Sequence, residues 1–145
     1  MSYDVSFLDL RRYPLWEAIA ADGSDQRTTV PQDLVDAWQR ITPRALELLG
    51  DAEVGGNERW LGLDHHASGL QLSVRGGDVM MNVPYWHQGE QAERVMALVH
   101  ALAAIVEEET GLSAYDPQTG NLLTGSPTQE AAEVMNSTAA WVERY

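Results

Sequence analysis

NERWLGLDHHASGLQLSVRGGDVMMNVPYW, residues 57 to 86, decides the fold. Apolar and polar residues alternate through RWLGLDH (59–65), GLQLSVR (69–75) and DVMMNVPYW (78–86). A period of two puts successive side chains on opposite faces of an extended chain, so each run reads as a half-buried strand. Gly76-Gly77 separates the last two runs and is a strong two-residue hairpin signal. The break at His65–Gly69 is a looser turn. The segment is therefore an antiparallel meander of three strands.

Beyond the meander the period changes. From Glu90 to Thr110, Ala92, Val95, Met96, Val99, Leu102, Ala103 and Val106 form an apolar stripe at helical spacing. Leu98, Ala101 and Ile105 widen it, so the helix is buried on two sides or shared with a second copy of the chain. Upstream, Tyr3, Val5 and Phe7 alternate with Asp4 and Ser6 as a further strand. Pro14 opens a short helix, LWEAIAAD, closed by Gly23, and a polar loop runs to Thr29. Leu34, Ala37, Trp38 and Ile41 lie on one face of a second helical region, which ends at Gly50. Pro43 inside it removes a donor and predicts a kink or two consecutive helices. At the C-terminal end, Ser126-Pro127-Thr128-Gln129 has the pattern of a helix start, with Ala131, Val134, Met135, Thr138, Val142 and Tyr145 on its inner face.

GLSAYDPQTGNLLTG, residues 111 to 125, joins the last two helices. Asp116 can accept hydrogen bonds from the backbone two or three residues on, Pro117 presets φ, and Gly120 supplies a left-handed residue that returns the chain. Leu112–Asp116 and Asn121–Thr124 then pair as a hairpin. Gln118 is not required by such a turn. The whole chain, 1–145, reads as a single α+β domain: a mainly antiparallel sheet of about five strands with helices packed on one face, compatible with a ferredoxin-like core carrying added helices.

The composition limits the chemistry. Nine arginines and no lysine face 22 Asp and Glu, a net charge of −13. Such a field repels phosphate backbones and anionic lipid, so neither nucleic acid nor membrane is an expected partner. With no cysteine, thiol catalysis and iron–sulfur clusters are excluded. The N-terminal residues show no signal-peptide pattern and no apolar run reaches the length of a membrane span, so a cytoplasmic protein is expected.

Three stretches carry a resemblance: MSYDV at the start, VPYW followed by GEQAERV, and ETGLSAYDPQTGNLL. On these the chain resembles an uncharacterised family of small bacterial proteins, mainly actinobacterial. Proteins of this kind are similar to immunity proteins of toxin systems, which bind a cognate toxin. The resemblance implies no catalytic residue.

No active-site pattern emerges from the residues themselves. His65-His66 with Asp64 and His87 is the nearest approach to a metal set, but adjacent strand histidines point to opposite faces, and no metal or other cofactor is expected. Five tryptophans outnumber the single phenylalanine; most are expected in the core, with Trp86, after Pro84 and before a polar loop, the candidate for exposure. The expected function is a non-enzymatic, acidic, protein-binding domain of the immunity type engaging a basic partner. Its candidate contact residues are Tyr85, Trp86 and His87, Tyr115, Asp116 and Gln118, and the surface acids Glu107 and Glu108. Two alternatives stand beside it. One is an enzyme or small-ligand protein with a cleft near Tyr85–His87 and Tyr115–Gln118; the other is a homo-oligomer formed through the 90–110 helix.

Overall fold

The computed structural model describes residues 2–21, 28–84 and 89–123. Along the chain these form β1 (Ser2–Leu8), α1 (Leu15–Ala21), α2 (Gln32–Leu49), β2 (Glu53–Gly56), β3 (Trp60–His65), β4 (Leu70–Arg75), β5 (Asp78–Pro84), α3 (Gly89–Thr110), β6 (Ser113–Asp116) and β7 (Asn121–Leu122). The seven strands make one sheet in the order β2-β3-β4-β5-β1-β6-β7, and every neighbouring pair is antiparallel. The fold class is α+β. The sheet is larger than the five or so strands expected, chiefly because β2, the stretch EVGG, escapes a periodicity search: two of its four residues have no side chain to alternate.

The meander folds as its alternation requires. Leu63, Leu70, Leu72, Val74, Val79, Met81 and Val83 share one face with Tyr3, Val5 and Phe7 of β1, and all are buried. Against this face lie Ala37, Trp38, Ile41 and Ala45 of α2 and the stripe of α3, Ala92 to Val106. The wide stripe is thus consumed within the chain, between sheet and α2. Met96 and Leu102 are sealed completely; each contributes about 1.5–3 kcal/mol relative to an exposed side chain. At the β4–β5 turn, Arg75 pairs with Asp78 across Gly76-Gly77, and Gly76 has φ 54°.

Pro43 neither splits nor ends α2, which runs unbroken from Gln32 to Leu49. The carbonyl deprived of its donor is that of Gln39, and Gln39 and Pro43 both lie on the exposed side, where water satisfies it. One turn earlier the Thr42 hydroxyl donates to Trp38 O at 2.8 Å. The tryptophans also depart from expectation. Of the three described, only Trp38 is in the core; Trp16 is 70% exposed and Trp60 43%. The C-terminal helix expected from Ser126 lies outside the described residues.

Candidate functional site

The DPQTG turn is built as its residues dictate. Asp116 Oδ1 accepts from Gln118 N at 2.8 Å and from Thr119 N at 3.3 Å, Gly120 N donates to Asp116 O at 2.8 Å, and Gly120 has φ 74°. What the sequence does not disclose is the depth of Asp116. It faces the helix side of the sheet, fully buried, and its other carboxylate oxygen accepts from the Tyr3 hydroxyl of β1, itself fully buried. Gln118 also has a structural task. β6 pairs with β1 only from Ser6 to Leu8, and Gln118 Oε1 accepts the Asp4 N–H at 3.3 Å beyond the end of that ladder. Pro117, which has no N–H, occupies the place where pairing would continue. Tyr115 turns the other way, to the opposite face of the sheet beside Ser6.

Gly120→Val is expected to cost more stability than Gln118→Ala. Nothing crowds a Cβ at Gly120, so its cost is backbone strain at positive φ alone. Gln118 is exposed and its single bond is long, so its loss should stay within about 0.5 kcal/mol. Equal urea midpoints for the two variants would refute this account of the turn.

Among the described residues, two buried polar atoms near this turn have no hydrogen-bond partner, His100 Nε2 of α3 and Thr119 Oγ1. Burial holds the His100 imidazole below its ordinary pKa, and attraction by the Asp116 carboxylate only partly opposes it. The unfolded chain therefore takes up a proton that the folded chain resists, so stability falls as pH drops through about 6.5. His100→Leu should flatten that loss: its urea midpoint is expected to gain on the wild type between pH 7 and pH 5. Parallel curves for the two proteins would show that His100 titrates alike in both states.

Glu107 and Glu108 belong to a run of acids at the end of α3, where the helix dipole disfavours negative charge. The tertiary structure gives each one a partner. Glu107 Oε2 accepts from Ala114 N of β6 at 3.2 Å; burial nonetheless pushes this carboxyl above its ordinary value. Glu108 pairs with Arg44 of α2 at 2.7 Å. Glu109 bonds Arg40 at 2.7 Å and Arg44 at 3.1 Å, and the Arg40 hydrogen bond foremost holds it below the ordinary carboxylate range. These acids tie α2 to α3 and α3 to β6.

His65 ends β3 and His66 opens the turn to β4. His65 is buried with its Nδ1 2.6 Å from Ser68 Oγ, and that oxygen also accepts from Leu70 N at 3.1 Å. A serine paired with a histidine is the start of a nucleophile pattern, and here both are buried in the β3–β4 turn. His66 is exposed beside Glu53 at 3.4 Å. Among the described residues no three His, Asp or Glu side chains gather as a metal set, and no helix is long and apolar enough to cross a membrane.

The opposite face of the sheet carries a second surface. Register places Trp60, Arg75 and Asp78 in one row across β3, β4 and β5; Gly62, Ser73 and Met80 in the next; and Asp64, Gln71 and Asn82 in a third, which continues to Glu53 and Asp4 on the flanking strands. Together the β3–β5 residues line an open basin of about 570 Å³. The Trp60 ring lies directly over Gly62: a Cβ there would come within 2.4 Å of the indole. Trp60 and Met80 remain exposed, at 43% and 37%. The sequence did carry a signal, since Trp60 shares its parity with Gly62 and Asp64 rather than with Leu61 and Leu63.

Of the expected contact residues, the structure brings Tyr115 to this open face, buries Asp116 on the other, and engages Gln118, Glu107 and Glu108 in bonds within the chain. Tyr85, Trp86 and His87 lie outside the described residues. Comparison with protein-family models, with curated proteins and with solved structures found no match.

Proposed function

We propose that this chain is a non-enzymatic protein-binding domain of the immunity type, whose acidic, aromatic-bearing surface occupies a basic partner. The observation that carries the reading is the open face over β3–β5. There an exposed tryptophan and methionine sit among Asp64, Gln71, Ser73, Arg75, Asp78 and Asn82, with Glu53 and Asp4 extending the acidic row. Exposed aromatic and methionine side chains within a polar surround are the composition of an interface centre, and an open basin suits a protein surface better than an enclosed small-molecule pocket would. The charge of −13 adds long-range attraction for a basic partner. The scaffold reads as a ferredoxin-like core, β6-β1-β5-β4 with α2 and α3, to which β2, β3 and β7 are added; this reading rests on strand order and connection.

Affinity capture from the native cells, followed by surface plasmon resonance of the captured protein, tests the proposal. Association should slow with salt and with Asp64→Asn plus Glu53→Gln. Trp60→Ala should instead speed dissociation, on the order of tenfold, because a desolvated aromatic anchor resists separation. An affinity indifferent to salt, together with a silent Trp60→Ala, would overturn it.

A further inference from the structure

We infer that the β2 edge receives an extended segment of the basic partner as an eighth strand. The inference rests on the protein-binding reading above and adds its mode. β2 ends the sheet order, and all four of its residues are exposed. The hydrogen-bond pattern shows what the edge offers. Asn57 N donates to Trp60 O at 2.8 Å, so the 57–60 pair is hydrogen-bonded, and antiparallel alternation extends this to Gly55–Gly62 and Glu53–Asp64. Val54 and Gly56 therefore aim their N–H and C=O groups away from β3 as a two-residue ladder, and among the described residues neither finds a partner there, although at the end of the strand the Glu58 carbonyl accepts from Val30 N at 2.8 Å.

Proteins usually blunt such an edge with a short strand, charged side chains or proline; β2 is short and carries Glu53, but it has no lysine and no proline. Its charge selects the occupant. Asp51, Glu53 and Glu58 flank the ladder, all exposed, and residues 51–58 contain no cation. Antiparallel pairing of two copies would set these acids against one another, whereas a basic strand neutralises them. Side-chain space agrees. Gly55 leaves a gap on the open face beside the Trp60 ring that covers Gly62, with nothing within 4 Å of a Cβ at Gly55. A long basic side chain opposite Gly55 fills that gap and reaches the indole, where a cation over the ring face is favoured. On the other face Val54, 39% exposed, gains an apolar neighbour. The segment that fits is extended, with basic and apolar residues alternating.

A capped hexapeptide of alternating arginine and valine, titrated into the full-length ¹⁵N-labelled protein, tests this. Its binding should be salt-dependent, shift the Val54 and Gly56 amides and slow their hydrogen exchange. Val54→Pro removes an outward N–H without touching the β2–β3 bonds and should weaken binding at least about tenfold. The fully N-methylated peptide, used with the unmodified protein, should not bind. Salt-dependent binding that moves only β3–β5 resonances and ignores both modifications overturns the edge proposal and leaves the basic-partner reading standing; absence of saturable binding also overturns the edge proposal. A glutamate–valine peptide that docks on β2 as well as the arginine–valine one upholds the edge and overturns the basic partner.

Discussion

Asp116→Ala is expected to lower the unfolding free energy by about 3 kcal/mol, the upper end for hydrogen bonds to a charged group, because three donors lose the same carboxylate together. The Tyr3 hydroxyl is fully buried and loses its carboxylate, and the Gln118 and Thr119 N–H groups lose theirs. The damage spans the fold, since the carboxylate joins the turn after β6 to β1, an interior strand of the sheet. Asp116→Asn should cost much less, because its amide oxygen still accepts from the turn and its NH₂ can donate to the tyrosine oxygen. A cycle with Tyr3→Phe isolates the strand-to-turn bond: the two losses should fall short of additive, with a coupling of about 1–2 kcal/mol. Urea melts at neutral pH supply all four values. An alanine variant as stable as the wild type would mean that the carboxylate is not what holds the turn to β1.

Gly62→Val and Gly55→Val should differ, although the two glycines are opposite one another on the same face of β2 and β3. A Cβ at Gly62 would meet the far end of the Trp60 ring at 2.4 Å, so the half-exposed indole must swing aside and give up its packing on the sheet, at a cost of about 1 kcal/mol. At Gly55 a Cβ meets nothing within 4 Å, and a β-branched residue suits a strand, so Gly55→Val should be neutral or slightly stabilising. Tryptophan fluorescence gives a second readout: Gly62→Val should shift the emission and Gly55→Val should not. If the two variants melt together, the ring does not rest on Gly62.

The division between chain and fold is clearest at three places. The meander, the first strand, the α3 stripe and the DPQTG turn are all legible because each depends on local rules: a period of two, a period of 3.6, and the φ preferences of proline and glycine. The parity of Trp60 even marks which face of β3 it occupies. β2 was not legible, because EVGG becomes a strand only by pairing with β3, and its glycines carry no pattern of their own. Two consecutive helices do not form at Pro43 for a related reason: whether a helix runs on through a proline depends on which side faces water, and that is set by packing against the sheet and α3.

The sequence by itself determined an α+β chain with an acidic surface, a strand meander and a long apolar helix, since composition and periodicity suffice for these. Only the tertiary structure decided the roles of single polar residues. Asp116 reads locally as a turn residue, yet it is the buried acceptor for Tyr3, 113 positions away in the chain. Glu108 and Glu109 read as unfavourable charge at a helix end until Arg40 and Arg44 of α2 meet them. Trp60 becomes a surface platform because Gly62 lies under it and the helices cover the other face. Hydrogen bonds and ion pairs act within a few ångströms, so a side chain's role depends on neighbours that chain order does not supply; hydrophobic periodicity depends on the face alone, and the face follows from chain order.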